Sequence, residues 1–301
     1  MPFGLPIGLS FGLGAALMWG LTDVSASLGG RRIGSLRVLA ASQAVGFSVL
    51  VMIGTLQGLP AQVDGPVIVA SILVGFAGTA AYLSFFTALR IGPLSVVSPI
   101  TAAYGGLTVV LAVIFRGESL THGQAAGAVL ATLGVIMAGL VFDDGFRSAR
   151  FVGKGVLFAF AALVGFALMT VGSAGPINEA GWLPVMLISR AVNVASSLIL
   201  LALALSVAGR RLAPLLDAPL VGGRGAWGLA AVAGLLDVTG LVSFGIGLER
   251  AETWLVGLAS SFGPAVAVLV GVVLLGERLR RTQWLGLLAL AMGLGIVAAA
   301  G

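Results

Sequence analysis

No cysteine occurs in the 301 residues, which excludes disulfides and thiolate metal sites. Histidine occurs once, at His122, so a histidine-based zinc site is excluded with them. Charge is scarce as well: Asp, Glu, Lys and Arg make up 9% of the chain against 59% for the hydrophobic class, whereas a soluble domain carries about 25% charged residues. A chain so short of polar surface cannot sit in water. The polar–apolar alternation of a barrel strand is also missing. The first apolar segment lacks a basic leader and a small-x-small cleavage site, so it reads as a retained helix and not as a signal peptide.

What is present is apolar length. A bilayer span needs roughly 20 mostly apolar residues, and ten such segments follow one another, at about 4–29, 34–57, 66–89, 93–115, 122–141, 152–174, 182–207, 226–248, 252–275 and 282–300. Lipid forces each span to satisfy its own backbone hydrogen bonds, so these are helices. The expected fold is an all-α membrane protein of ten transmembrane helices, with no room for a separate soluble domain.

The basic residues are confined to short loops, which points to membrane topology and not to nucleic acid. Arg31, Arg32 and Arg37 flank the first connection and Arg90 the third; Arg147, Arg150 and Lys154 lie in the fifth, Arg210, Arg211 and Arg224 in the seventh, and Arg278, Arg280 and Arg281 in the ninth. The opposite loops hold Arg116 and Arg250. The positive-inside rule then places the odd loops in the cytoplasm and both termini outside. Trp182, Trp227, Trp254 and Trp284 fall near helix ends, where indoles settle at the headgroup level.

One polar sentence is written twice. "GESLTHGQAAG" begins at Gly117 and "GERLRRTQWLG" at Gly276, both reading G-E-x-L-x-x-x-Q-x-x-G. Glu118 and Glu277 are 159 positions apart (277 − 118). The same offset aligns Gly75 with Gly234, Ser84-Phe85 with Ser243-Phe244, Leu89 with Leu248, Gln124 with Gln283 and Gly134 with Gly293. The last three helices of each half are therefore one unit repeated. The first two match loosely, with Arg37 near Arg190 once a short indel is allowed. Five helices is an odd number, so the second copy enters the membrane upside down; inverted repeats place a substrate site near the midplane between the halves. The expected organisation is a first repeat over 1–145 and an inverted second over 146–301. In the motif, Gly ends one helix, Glu and Gln cap the next, and the second Gly allows close packing. Gly127/Ala131, Gly134/Ala138 and Ala289/Gly293 are small-xxx-small pairs for close helix approach. With 46 glycines, any phosphate-loop pattern is expected by chance.

Two five-helix halves, each closing on this loop and a Gly-rich last helix, resemble the drug/metabolite transporter superfamily, and within it the ten-helix EamA-type exporters. The resemblance covers essentially the whole chain. It implies a multi-pass protein of a bacterial inner (plasma) membrane that exports small metabolites, amino acids and aromatic ones among them. It also implies that the terminal helices of the two halves pack together, and that both termini are often cytoplasmic, against the charge count.

Ionisable groups inside a bilayer cost at least ~2.5–3.5 kcal/mol and need a partner or a task. Asp237 lies at the middle of the eighth helix and Asp23 inside the first, one turn after Trp19 and on the same side. Arg190 lies inside the seventh with Asn193 one turn on, and Gln43, Tyr82 and Tyr104 add polar groups to helices two, three and four. Two readings stand side by side. Arg190 pairs with Asp237 or Asp23 as a structural bridge, or these groups line a central cavity where Arg190 meets a substrate carboxylate and an aspartate an amino group. Interior prolines interrupt the fourth and ninth spans, at Pro99 in "VVSPITAAYGG" and Pro264 in "SSFGPAVAVL". Interrupted spans at corresponding places point to a site, with Ser98, Tyr104 and Ser261 beside it.

The expected activity is secondary transport by alternating access, most simply export of amino acids, with Trp19, Tyr82 and Tyr104 suited to an aromatic side chain. A facilitator or channel for another solute or drug is the alternative. An enzyme is disfavoured: Asp237 follows "GLL" and Asp23 "GLT", unlike intramembrane aspartyl proteases, and "GSAG" at Gly172 has no membrane histidine to serve it. No cofactor is called for. The implied partners are a small-molecule substrate and membrane lipids, with the chain monomeric or a homodimer.

Overall fold

The computed structural model describes residues 6–58, 63–91, 97, 100–139, 154–206, 223–263, 265–266 and 280–300. Ten helices occur among them: α1 (Ile7–Ile33), α2 (Ser35–Gln57), α3 (Gly65–Ile91), α4 (Tyr104–Arg116), α5 (His122–Gly139), α6 (Lys154–Ala180), α7 (Trp182–Leu205), α8 (Arg224–Arg250), α9 (Thr253–Ser260) and α10 (Arg281–Ala299). The described residues contain no strand. Seven of these helices are long and apolar enough to cross a bilayer; α4 and α5 belong to shorter apolar stretches, and α9 spans eight residues.

Some boundaries differ from the hydropathy reading. α1 runs on to Ile33 and carries Arg31 and Arg32 in its last turn, where cations complement the negative end of the helix dipole. α6 continues past residue 174 through Pro176 to Ala180; this proline costs one backbone donor without ending the helix. Much of the expected spans 93–115 and 252–275 falls outside the described residues.

The packing inverts that of a water-soluble protein. The buried set is rich in alanine, whereas Leu73, Phe76, Phe115 and Leu157 project outward at 56–72% exposure. Lipid is as apolar as leucine, so nothing drives large side chains inward; small residues go inside because they let backbones approach. The antiparallel pair α5–α10 shows this most clearly. Gly134 lies against the backbone of Gly286 and Leu290, and Gly293 against that of Gly127 and Ala131; a Cβ on Gly127 would stand 2.8 Å from the Gly293 carbonyl. Gly286, one turn before the expected Ala289, is the residue that works with Gly293 in α10.

Contacts between the halves come in matched sets. α1 packs along α8 as α6 packs along α3; α2 lies on α8 as α7 lies on α3; and α1 meets α9 as α6 meets α4. The pairs α2–α7, α4–α9 and α5–α10 join counterparts directly. In the first two helices of each half the offset is 147, not the 159 of the last three. Gly34 and Gly181, each a one-residue helix connection with positive φ, stand 147 apart (181 − 34). Around them "GSLRVLAAS" and "GWLPVMLIS" share G-x-L-x-V-x-x-x-S with no gap. Arg190 therefore corresponds to Gln43, not to Arg37, and the extra length of the second half falls after α7. Among the described residues, each of three apolar clusters mixes residues from both halves.

The α5–α10 contact predicts opposite responses to the same small change. Gly134→Ala places a methyl against the Leu290 backbone and should cost about 1–3 kcal/mol, seen as a lower melting temperature in detergent. Gly295→Ala, with nothing within 4 Å of the added carbon, should be neutral or gain up to ~1 kcal/mol. Equal melting of the two variants contradicts the packing.

Candidate functional site: a charged cluster beside an aromatic cavity

Four helices bring a polar cluster to the interface between the halves. Arg190 from α7 donates through Nη1 to Asp237 Oδ2 on α8 at 2.7 Å, and the same nitrogen donates to Gln43 Oε1 on α2. Tyr82 from α3 donates its hydroxyl to the other Asp237 oxygen, Oδ1, at 3.2 Å. Arg190 is 1% and Asp237 2% exposed, so the two charges are buried against each other. The arginine and glutamine sit at equivalent positions of the two halves, and small residues make room for them. A Cβ on Gly46 would stand 4.0 Å from the guanidinium carbon, and Gly234 lies against the Ser42 carbonyl. Asn193, one turn beyond Arg190, accepts from Thr79 Oγ1 at 2.9 Å.

A cavity of about 70 Å³ adjoins this cluster. Asp237, Gln43 and Tyr82 form part of its wall, together with Trp19 and Asp23 from α1. The Trp19 indole donates to the Asp237 carbonyl at 3.3 Å and packs on Phe244, with centroids 5.3 Å apart. Phe166, the counterpart of Trp19, packs on Phe85, the counterpart of Phe244, at 5.8 Å. Phe166 also meets the rings of Tyr82 and Tyr104, at 5.3 and 5.7 Å, so aromatic faces make up much of the wall. Arg190 and Asn193 border a separate cavity of about 10 Å³ on the far side of the ion pair.

Both interrupted spans reach the cavity. The helical ladder breaks at Ala103, whose N–H turns back to Ile100, and at Ser261, whose N–H turns back to Leu258. The breaks fall at matching places in the two halves. The Tyr104 hydroxyl and the Ser260 hydroxyl share a hydrogen bond of 3.0 Å across them, and Ser261 lines the cavity. Ser98, Pro99 and Pro264 lie outside the described residues. Of the residues named from sequence, Trp19, Asp23, Gln43, Tyr82, Tyr104, Asp237 and Ser261 meet at one cavity. Phe85, Phe86 and Phe166 were missed there, because a phenylalanine in an apolar helix gives no signal that separates a cavity wall from a lipid face.

The repeated motif is built differently from its expected form in one respect. Gly117 ends α4 in the left-handed conformation, φ 66°, and Gln124 caps α5 by accepting from Thr121 N–H at 2.8 Å. Gln283 does the same at Arg280, 3.1 Å. Glu118, however, does not cap the following helix. It accepts the N–H groups of Thr253 and Trp254 at 3.1 and 2.9 Å and the Arg116 guanidinium at 3.1 Å, so it caps α9 in the opposite half. Burial pushes the Glu118 carboxyl up, but these hydrogen bonds outweigh it and hold the group below the ordinary carboxylate range. Glu277 lies outside the described residues. Trp254 is fully buried, its indole donating to Glu252 at 2.7 Å, and is no interfacial belt residue; Trp227 and Trp284 are 44% and 56% exposed.

The EamA-like transporter family matches the chain twice, over residues 6–140 and 153–299, and the chain belongs to that family. A solved crystal structure 19% identical in sequence is similar over 97% of this chain and 96% of that one, with a TM-score of 0.77; the likeness is one of fold. No curated protein matches the chain in sequence. Family and apolar helices together make this an integral, multi-pass membrane transporter of small solutes.

Two tests follow from the geometry. Asp237→Ala leaves a buried guanidinium without its counter-charge and should cost about 3–5 kcal/mol, while Arg190→Met with Asp237→Leu should recover most of that; melting in detergent reads both, and an unperturbed Asp237→Ala protein refutes the pair's role. Glu118→Gln should cost about 1–2 kcal/mol at pH 7 by weakening a charged cap. The folded carboxyl is depressed, so its contribution is present above the unfolded value near 4.5 and lost as pH falls through the lower folded value. The wild-type advantage should therefore shrink below about pH 4.5, and a constant gap between the two melting temperatures from pH 7 to pH 3 contradicts it.

Proposed function

We propose that the protein is a secondary carrier that exports small organic solutes across a bacterial inner membrane by alternating access. In this reading residues 1–145 and 146–301 are two inverted five-helix repeats, and the cavity beside the Arg190–Asp237 pair is the substrate site. The observation that carries it is the cavity's position. It lies between the halves, is walled by α1, α2, α3, α6, α8 and the broken spans of α4 and α9, and is flanked by matched contacts that let one half rock on the other. The antiparallel pairing α5–α10 and the 147 and 159 offsets support the inverted arrangement.

The lining of the cavity also bears on the cargo. The aromatic wall favours a solute with an apolar or aromatic body. Amino acids as cargo ask for a free cation to hold the carboxylate, and the Arg190 guanidinium is already engaged by Asp237 and Gln43 on the far side of the wall.

The reading is tested by counterflow in proteoliposomes loaded with pooled solutes: amino acids, aromatic amines and aromatic carboxylates. A carrier gives saturable exchange that is accelerated by solute on the opposite side. A linear, unsaturable leak supports a channel, and no movement of any solute by protein that melts cooperatively overturns the proposal.

A further inference from the structure

α9 is short and enclosed: all eight of its residues, Thr253 to Ser260, are buried. It stands as a stopper between the cavity and one face of the molecule. Ser260, at its C-terminal end, lines the cavity together with Ser261. Its N-terminal end begins at the face where α4 ends at Arg116 and α8 at Arg250. The fit along its length is close. A Cβ on Gly257 would run into Thr108 of α4, and one on Gly12 of α1 would run into Ala259.

The start of α9 is held from outside its own half. The first N–H groups of a helix have no partner within it, and the N-cap side chain ordinarily supplies one. Here the N-cap is Glu252, which makes no cap bond and accepts from the Trp254 indole instead. The N–H groups of Thr253 and Trp254 donate to Glu118, which belongs to the first half. Arg116 extends the link, its Nε donating to Glu118. With the Asn178 amide turned so that both of its ends are paired, Arg116 Nη2 donates to it at 3.1 Å, and it donates in turn to the Leu248 carbonyl at 3.3 Å. Two residues of the first half thus reach α6, α8 and α9 of the second at a single face.

We propose that α9 is the gate at this end of the cavity, and that Glu118, steadied by Arg116, is the latch that holds it shut across the two halves. This deepens the carrier reading and rests on it. A solute passing between the cavity and this face requires α9 to part from α4, because α9 fills the way between them. Parting withdraws Glu118 and leaves two N–H groups at the start of α9 that water has to satisfy. The shut arrangement is therefore favoured until water enters from this face. Glu118 and Arg116 are 13% and 23% exposed, so the latch lies at a rim that water reaches, where the net gain from such a link is modest. The Arg190–Asp237 pair is buried, and separating it is far more costly. A link that yields in each cycle thus stands beside one that does not. Glu118 is not part of the cavity wall, so it is a positioning residue that acts through α9.

The test exploits the absence of cysteine, which lets a single introduced thiol report. Met169→Cys places it in the cavity wall. The probe is trimethylammonioethyl methanethiosulfonate, a charged, membrane-impermeant thiol reagent, applied to sealed right-side-out and inside-out membrane vesicles. Ser119→Cys, on the exposed loop beside the latch, identifies the vesicles that present this face. From the latch face, Met169→Cys should label slowly. Adding Glu118→Gln should raise that rate roughly five- to thirtyfold, the factor that weakening one charged cap allows, with no rise from the opposite face. Thr253→Pro removes one of the two donors while keeping the carboxylate, and proline suits a first helical position; it should give the same one-sided change.

Equal acceleration from both faces by Glu118→Gln marks a generally loosened protein and overturns the latch. So does an unchanged rate from the latch face in both Glu118→Gln and Thr253→Pro. Either result leaves the carrier reading standing, because counterflow in proteoliposomes tests that separately. A linear leak in the counterflow assay, or no movement of any solute by folded protein, overturns both.

Discussion

A guanidinium buried between helices in a bilayer is removed from bulk water, so neighbouring groups must offset its charge. Asp237 and Gln43 accept from Arg190 Nη1, and Tyr82 donates to the other oxygen of Asp237. These groups arrive on α7, α8, α2 and α3, two helices from each half. The cluster fixes how the four approach one another, because moving any of them strands a charge at a cost of several kcal/mol. The cavity is the space left on one side of that fixed point, and the identity of its wall follows from which faces of α1, α3 and α6 the cluster turns toward it.

The same lack of water explains why the interior is small and the exterior large. Without a hydrophobic drive between helices, adhesion comes from close contact of backbones and from polar links. Glycine and alanine supply the first along α5–α10 and where α3 and α8 cross their partners. Glu118 supplies the second, tying the end of α4 to the start of α9 in the other half. Contacts of this kind are short-range and directional. They break and re-form as units, which suits the alternating access proposed above.

Much of the architecture was legible in the chain. Runs of about 20 apolar residues exposed the spans, and the 159-residue offset exposed the repeat in the last three helices of each half, because polar landmarks recur there. In the first two helices the landmark that matters had changed identity: glutamine at 43, arginine at 190. Arg37 drew the comparison, although the gapless G-x-L-x-V-x-x-x-S pattern about Gly34 and Gly181 carried the true register. Polar site residues stood out against an apolar background, so Asp23, Gln43, Tyr82, Tyr104 and Asp237 could be named. Which aspartate Arg190 would choose could not be read, since both sit at similar depth and only the side-chain geometry separates them. The phenylalanine wall was silent for the reason that lipid-facing phenylalanines look the same. Glu118 was misassigned to the helix that follows it because a cap acting across 135 positions leaves no local trace.

The correspondence of Gln43 with Arg190 has a bearing on why the two halves share one chain. Their side chains meet directly, Arg190 Nη1 donating to Gln43 Oε1. In an assembly of two identical five-helix chains, whatever residue stood there would confront itself: two arginines would repel with nothing between them, and two glutamines would bring no charge at all. Joining the copies end to end frees each to drift on its own. One keeps an amide, the other acquires a cation, and Asp23 and Asp237 each stand opposite an uncharged counterpart, Thr170 and Gly78. Symmetry of the scaffold is thereby combined with a lopsided distribution of charge, an arrangement that a homodimer cannot encode.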